Sequence, residues 1–129
     1  MGTAAGYVSG YSPAVSPAAM TAGRFEGDGL DEVNAARAMR GLRPFVRDEG
    51  LALAARVCAQ FRATNLVSGH TSNDFAFVPA GTFARSAGCA AASADWGWLS
   101  CCTYENYTYG GAAWVAGRDG QRYMHLFVR

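Results

Sequence analysis

The apolar positions of this chain change period along its length, from the period of helices to that of strands. Between 48 and 66, small and apolar residues recur every three or four positions, the period of a helix with one buried face. These residues are Leu51, Ala54, Ala55, Cys58 and Phe61. We predict a core helix here, and its small alanines indicate close approach to another element.

A shorter helix is predicted ahead of it, from 29 to 40. Asp28 can cap its N-terminus, and Gly41 and Pro44 mark its end. Its apolar face is narrow and consists of Leu30, Val33 and Ala36.

Beyond His70 the pattern changes to that of strands. Phe75 and Phe77, followed by Pro-Ala-Gly at 79–81, predict a short extended piece and a turn. The segment from Ala90 to Trp98 fits a short helix or a loop, and both interpretations stay open.

A hairpin closes the chain, with strands at 107–116 and 121–128 around a turn at 117–120. Both faces of the last strand are apolar, with alternate residues on each side. Tyr123, His125 and Phe127 lie on one face, and Met124, Leu126 and Val128 on the other. The hairpin therefore predicts a sheet covered on both sides.

The first 27 residues differ from the rest. They are rich in Gly, Ala, Ser, Pro and Tyr and show neither period, so they bury too little apolar area to order themselves. We predict an extended low-complexity arm at 1–27 and one domain at 28–129. Two interpretations of the arm stay open: it packs along its own domain, or it lies on a neighbouring subunit.

Charge and hydropathy exclude several classes of partner. The chain has 11 basic and 10 acidic residues and no run of like charge, so we expect no nucleic-acid partner. It lacks the ~20 consecutive apolar residues of a membrane span. The first twenty residues contain no Lys or Arg, so we expect no signal peptide.

Four cysteines are present: Cys58, Cys89, Cys101 and Cys102. None forms a C-x-x-C pair, which argues against a structural zinc site of that type. Buried free thiols are one interpretation. A disulfide that joins Cys89 to Cys101 or Cys102 is the other, and the sequence leaves the pairing open.

Several residues, in this order and spacing, resemble those of the CAP superfamily (the cysteine-rich secretory, antigen 5 and pathogenesis-related-1 proteins). They are Asn34, Arg37, Gly41-Leu42-Arg43-Pro44-Phe45, Asp48, Leu51, Ala55 and Gly69-His70, with weaker matches at Trp98-Leu99-Ser100, Tyr109-Gly110-Gly111-Ala112 and Arg122-Tyr123. The resemblance covers roughly residues 29–129. It implies an α+β fold, an α-β-α sandwich with a central antiparallel sheet, here preceded by the extended arm.

The family's cleft holds two histidines and two glutamates that can bind a divalent metal. By resemblance, His70 is the first histidine and Glu105 stands in for the last glutamate. Gly88-Cys89-Ala90 occupies the place of the other glutamate, and no histidine lies at 102–104. Two ligands are too few for a metal centre. We therefore expect a vestigial cleft of His70 and Glu105, with no catalytic residue, metal or cofactor, and structural roles for His70 and His125.

Aromatic residues cluster late in the chain: Trp96, Trp98, Tyr104, Tyr107, Tyr109 and Trp114. They suit the core of a sheet. Trp96, Trp98 and Tyr104 are also candidates for a partner-binding platform, because aromatic side chains dominate interface energetics.

The resulting expectation is a non-catalytic CAP-like binding or structural module. Its partners would be protein subunits of a larger assembly, contacted through the arm, such as a phage virion with this chain as a decoration or tail component. Its location would then be the virion or an extracellular surface. One alternative is a secreted or envelope bacterial CAP protein with a vestigial metal-binding or hydrolytic cleft. A small lipid- or glycan-binding domain is another.

Overall fold

A computed structural model of the chain describes residues 26–72, 74–93 and 102–129. The fold of these residues is mixed α and β, with two α-helices and one sheet of five strands. In chain order the elements are β1 (Glu26–Asp28), α1 (Leu30–Ala38), β2 (Val46–Arg47), α2 (Glu49–Asn65), a 3-10 turn (Asp74–Phe77), β3 (Ser86–Ala92), β4 (Tyr109–Ala116) and β5 (Arg122–Val128). None of these helices is both long and apolar enough to cross a membrane.

The sheet is antiparallel along its main path, in the order β1-β4-β5-β3. The short β2 pairs in parallel with the start of β4, where Val46 is opposite Tyr109. Because β5 pairs with both β4 and β3, it lies inside the sheet. The predicted antiparallel sheet is confirmed, as is the predicted turn, which Gly120 makes at a φ of +84°.

Helix α2 covers one face of the sheet. The core on this side is built from small residues of α2 and alternate residues of the strands, namely Leu51, Ala54, Ala55, Cys58, Ala59, Ala63, Ala87, Ala113, Val115, Tyr123 and Phe127. The helix lies so close to β4 that a Cβ on Gly111 would be 2.1 Å from the backbone nitrogen of Ala52. The close approach that the alanines indicated is therefore present.

The other face is covered by α1 and the loops beside it. Its core is formed by Leu30, Val33, Phe45, Cys102, Ala112, Met124, Leu126 and Val128. Each residue of β5 from Tyr123 to Val128 is buried. The prediction that the last strand is covered on both faces is confirmed.

Helix α2 runs close to its predicted bounds. Asp48 caps it, since Oδ1 accepts a hydrogen bond from the backbone nitrogen of Leu51 at 2.9 Å. Leu66, with a φ of +54°, ends it. One predicted core residue was wrong: Phe61 is 41% exposed, and Arg62 takes the buried position. Arg62 lies on the same face of the helix as Cys58, four residues earlier, because the helix has 3.6 residues per turn. The sequence does not show this, because an arginine at that position looks like a surface residue.

Helix α1 is shorter than predicted and begins one residue later. Its N-cap is Gly29, not Asp28. Asp28 nevertheless accepts a hydrogen bond from the backbone nitrogen of Leu30 at 3.0 Å. The aspartate therefore satisfies one of the unpaired donors of the helix start from just outside it.

Two local predictions were wrong. Phe75 and Phe77 lie in a 3-10 turn and not in an extended piece. Residues 90–92, predicted to be a helix or a loop, form the end of β3. They are in a strand because β3 pairs with β5 along its whole length. The remainder of that segment, 94–98, lies outside the described residues, as does the arm at 1–25. Glu26 and Gly27, the last arm residues in the prediction, belong to β1 and pair with β4.

Candidate functional site

The structure gathers four polar side chains on the α2 side of the sheet, which we name the Cys58–His125 cluster: Cys58, His70, Asp74 and His125. Cys58 comes from the inner face of α2, Asp74 opens the 3-10 turn, and His125 lies midway along β5. Cys58, Asp74 and His125 are buried, and their ligand atoms all lie within 4.8 Å of one another. Three separate elements therefore converge on one point.

Asp74 is the centre of this cluster and is only 3% exposed. Its Oδ1 accepts hydrogen bonds from Thr71, from the hydroxyl at 2.9 Å and the backbone nitrogen at 3.3 Å. Its Oδ2 lies 2.6 Å from His70 Nδ1 and 3.6 Å from His125 Nε2. Burial acts to raise the pKa of Asp74, but the hydrogen bonds from His70 and Thr71 outweigh it and lower the pKa. The carboxylate is therefore ionised at neutral pH.

His125 is fully buried, and neither ring nitrogen has a hydrogen-bond partner among the described residues. Its ring is edge-on to the ring of His70, with the two centroids 5.6 Å apart. It also packs against the ring of Phe127, whose centroid is 4.9 Å away. Burial lowers its pKa to about 3, although the nearby Asp74 charge acts to raise it, so the imidazole is neutral. A buried polar group without a hydrogen bond costs about 1–3 kcal/mol. His125 therefore destabilises the core unless another group binds its ring nitrogens.

Cys58 completes the buried part of the cluster. Its thiol donates a weak hydrogen bond to the backbone carbonyl of Asp74, with Sγ and oxygen 3.5 Å apart. Burial, together with the Asp74 charge, raises its pKa to about 12. The residue is thus a protonated thiol and, by itself, a poor nucleophile.

Arg62 lies one turn beyond Cys58 on α2 and binds the backbone around the Cys58–His125 cluster. Its guanidinium is completely buried and donates to four backbone carbonyls at 2.6 to 3.3 Å, those of Ser68, Gly69, Ala90 and Met124. These carbonyls belong to β3, β5 and the loop that leads to His70. The arginine thereby ties α2 to the strand that carries His125 and also positions His70.

The predicted cleft pair is placed differently. The structure brings His70 to Asp74 and His125, whereas the backbone of Glu105 lies beside α1, where its carbonyl accepts a hydrogen bond from Arg37 at 2.8 Å. Gly88-Cys89-Ala90 supplies no carboxylate, and no histidine lies at 102–104. The described residues do not fit the four-ligand metal site that the family resemblance implies.

Cys89 and Cys102, for which a disulfide is one of the two open interpretations, lie on opposite faces of the sheet. Cys89 lies opposite His125 on the α2 side, while Cys102 belongs to the α1-side core, where its Sγ is 3.1 Å from Ser86 Oγ. Cys89 and Cys102 are therefore not placed to bond to each other. A bond from Cys89 to Cys101 stays a prediction, because Cys101 lies outside the described residues.

The aromatic residues divide in a similar way. Trp96 and Trp98 lie outside the described residues. Tyr104 is half-buried under the guanidinium of Arg40, which lies 3.5 Å from the ring centroid. Tyr107 and Trp114 pack against the α1-side core, as the core interpretation expects.

Sequence reasoning identified His70 but not its partners. No local signal joins Cys58 on a helix to His125 on the last strand, because only the packing of α2 on the sheet brings them together.

Comparison with family models, curated proteins and solved structures gave no match for this chain.

Proposed function

We propose that this chain is a CAP-like domain of α-β-α type that assembles with other protein subunits and catalyses no reaction. The observation that carries the proposal is an apolar stripe on the outer face of α2. Leu53, Val57 and Phe61 follow one another at four-residue spacing and are 56%, 36% and 41% exposed. We name them the α2 stripe.

The α2 stripe is not needed to hold the domain together. The opposite side of the same helix already packs on the sheet through its alanines, so the fold is closed without it. Large apolar side chains aligned on one helix face offer a partner several buried groups at once, and such exposed patches mark protein–protein contacts.

The altered cleft supports a non-catalytic role. A hydrolytic cleft of the expected kind would need His70 and Glu105 within reach of the same substrate atoms. His70 contacts Asp74, whose own contacts are all within the protein, and Glu105 lies elsewhere in the fold. The alternative of a hydrolytic cleft with His70 and Glu105 therefore has less support.

A larger particle is the setting that this proposal favours, such as a phage virion in which the chain is a decoration or tail component. The low-complexity composition of the N-terminal arm suits a segment that docks on a neighbouring subunit. The proposed location is accordingly the virion or another extracellular surface.

Sedimentation velocity of the full chain over a range of concentrations tests the assembly through copies of itself. We expect the weight-average sedimentation coefficient of the wild type to rise with concentration. Phe61→Glu should remain monomeric, because burying a carboxylate in the contact is unfavourable. Gln60→Glu adds the same charge to the adjacent, polar position and should still associate.

A wild-type chain that is monomeric at every concentration would contradict assembly through copies of this chain. Equal association of Phe61→Glu and Gln60→Glu would also contradict it, since the α2 stripe would then not be the contact. Thermal unfolding of both variants provides the folding control, and both should unfold close to the wild type because both side chains are exposed.

A further inference from the structure

We propose that Cys58, Asp74 and His125 form a zinc-binding site between α2, the 3-10 turn and β5. This site uses none of the ligands of the vestigial cleft, in which only His70 and Glu105 were expected. It goes beyond the proposed assembly function and does not depend on it.

The donor set selects zinc. A sulfur, an imidazole nitrogen and a carboxylate oxygen are the three ligand types that zinc uses in proteins, whereas calcium and magnesium prefer oxygen alone. At zinc–ligand distances of about 2.0 to 2.3 Å, tetrahedral ligand atoms lie about 3.5 Å apart. The atoms here are within 4.8 Å of one another, so small side-chain rotations bring them to that spacing.

His125 gives independent support. It is fully buried beside Asp74, yet neither of its ring nitrogens has a hydrogen-bond partner among the described residues. Buried polar groups are otherwise almost always satisfied. A metal ion at Nε2, on the side of Asp74, would account for a polar ring in an apolar strand.

Zinc ligands in proteins are usually oriented by hydrogen bonds from neighbouring residues, and Asp74 has such hydrogen bonds here. His70 and Thr71 hold the Asp74 carboxylate at both oxygens and so orient it. The side chain of His70 is 45% exposed, so it supports the buried Asp74 carboxylate from the solvent side. His70 is therefore assigned as a positioning residue.

The charges of the ligands also balance the charge of the ion. Zinc carries two positive charges, and the Asp74 carboxylate and a Cys58 thiolate cancel them. Binding releases the thiol proton of Cys58 to solvent. Arg62 is a buried cation that faces this cluster, and its charge partly offsets the burial and the Asp74 charge that raise the pKa of Cys58.

The site is expected to be structural. Cys58, Asp74 and His125 are each at most 3% exposed, so a bound ion would be enclosed, and a water molecule would complete the four ligands that zinc takes. It would link α2 to the 3-10 turn and to β5, three elements that are distant in the sequence.

Titration with cobalt as a spectroscopic substitute for zinc tests this inference. The full chain is stripped of metal with a chelator under reducing conditions and then titrated. We expect one cobalt ion per chain, with a thiolate-to-cobalt charge-transfer band in the near ultraviolet that zinc abolishes. Zinc should also raise the thermal unfolding midpoint of the wild type.

Variants assign the ligands. Cys58→Ser should lose the charge-transfer band, whereas Cys102→Ser, an equally buried cysteine on the other face of the sheet, should keep it. Asp74→Asn should weaken zinc binding at least tenfold. His70→Ala should keep the band and weaken binding about 10- to 100-fold, the effect of losing an outer-sphere partner.

A wild-type chain that binds no stoichiometric cobalt or zinc would overturn the inference, and this measurement does not depend on any variant folding. A charge-transfer band that survives in Cys58→Ser would overturn it too, because the thiolate would then come from another cysteine.

Discussion

Single residues join distant parts of this fold, and Asp48 is an example. One oxygen of its carboxylate caps α2 by accepting a hydrogen bond from Leu51. The other lies 2.8 Å from the guanidinium of Arg129, the last residue of the chain. Hydrogen bonds from Arg129 and Leu51 lower the pKa of Asp48 below its usual value.

The lowered pKa makes a prediction for acid stability. An aspartate whose pKa is lower in the folded state stabilises that state fully above its unfolded pKa of about 3.9, and the stabilisation disappears as the pH falls through the folded pKa. Asp48→Asn keeps the cap, because asparagine caps helices as well as aspartate does, but removes this charge. We expect its free energy of unfolding, measured in urea between about pH 2 and pH 7, to depend less on pH.

Asp31→Asn is the matched control, since Asp31 is exposed in the first turn of α1. It should keep the acid sensitivity of the wild type. Identical pH profiles for Asp48→Asn and wild type would refute the assignment to Asp48.

At the scale of elements, the contact between α2 and β4 determines how closely the two layers approach. Alanines line the inner face of the helix, and Gly111 lies opposite them on the strand. Only hydrogen fits at that position, because an added Cβ would meet the backbone atoms of Leu51 and Ala52. A backbone contact cannot be relieved by rotating a side chain.

Gly111→Ala is therefore expected to lower the free energy of unfolding by about 1–3 kcal/mol or more, the cost of overpacking a core. Chemical denaturation measures it. The neighbouring Gly110→Ala is the control, because its Cβ would lie 3.2 Å from Phe45, a much milder approach than the 2.1 Å at Gly111. A loss for Gly110→Ala as large as that for Gly111→Ala would show that helix packing is not the cause.

Two buried arginines also link the elements, by donating hydrogen bonds to backbone carbonyls. Arg62 bonds the carbonyls of β3, β5 and the loop after α2. Arg37, on the opposite side of the sheet, does the same for α1 by donating to the carbonyls of Arg43, Thr103 and Glu105. Each helix therefore carries one buried arginine that ties it to the backbone carbonyls of other segments.

At the scale of the whole molecule, both faces of the sheet are covered and the described polar cluster is largely enclosed. Within the cluster, the side chain of His70 is 45% exposed, so it is the group that a substrate could reach, and the proposed non-catalytic role makes a prediction about it. We expect the full chain to hydrolyse ester, amide and glycosidic substrates no faster than His70→Ala does. Turnover by the wild type that His70→Ala abolishes would show that the cleft is active.

Much of the framework was predictable from local patterns. Helix α2 is visible because Leu51, Ala54, Ala55 and Cys58 repeat its period, and Asp48 marks its start. The closing hairpin is visible because the residues of β5 alternate between two apolar faces around a turn that contains Gly120. Such signals depend on residues that are neighbours in the chain, so the sequence is enough to read them.

The sequence alone therefore determined the core helix, the hairpin and a sheet covered on both sides. Only the tertiary structure decided that Arg62 is buried and Phe61 exposed, that the segment after Arg85 is a strand, and that Cys58, Asp74 and His125 meet. The physical reason is that burial and strand pairing depend on which distant segment packs alongside, and no local period records that choice.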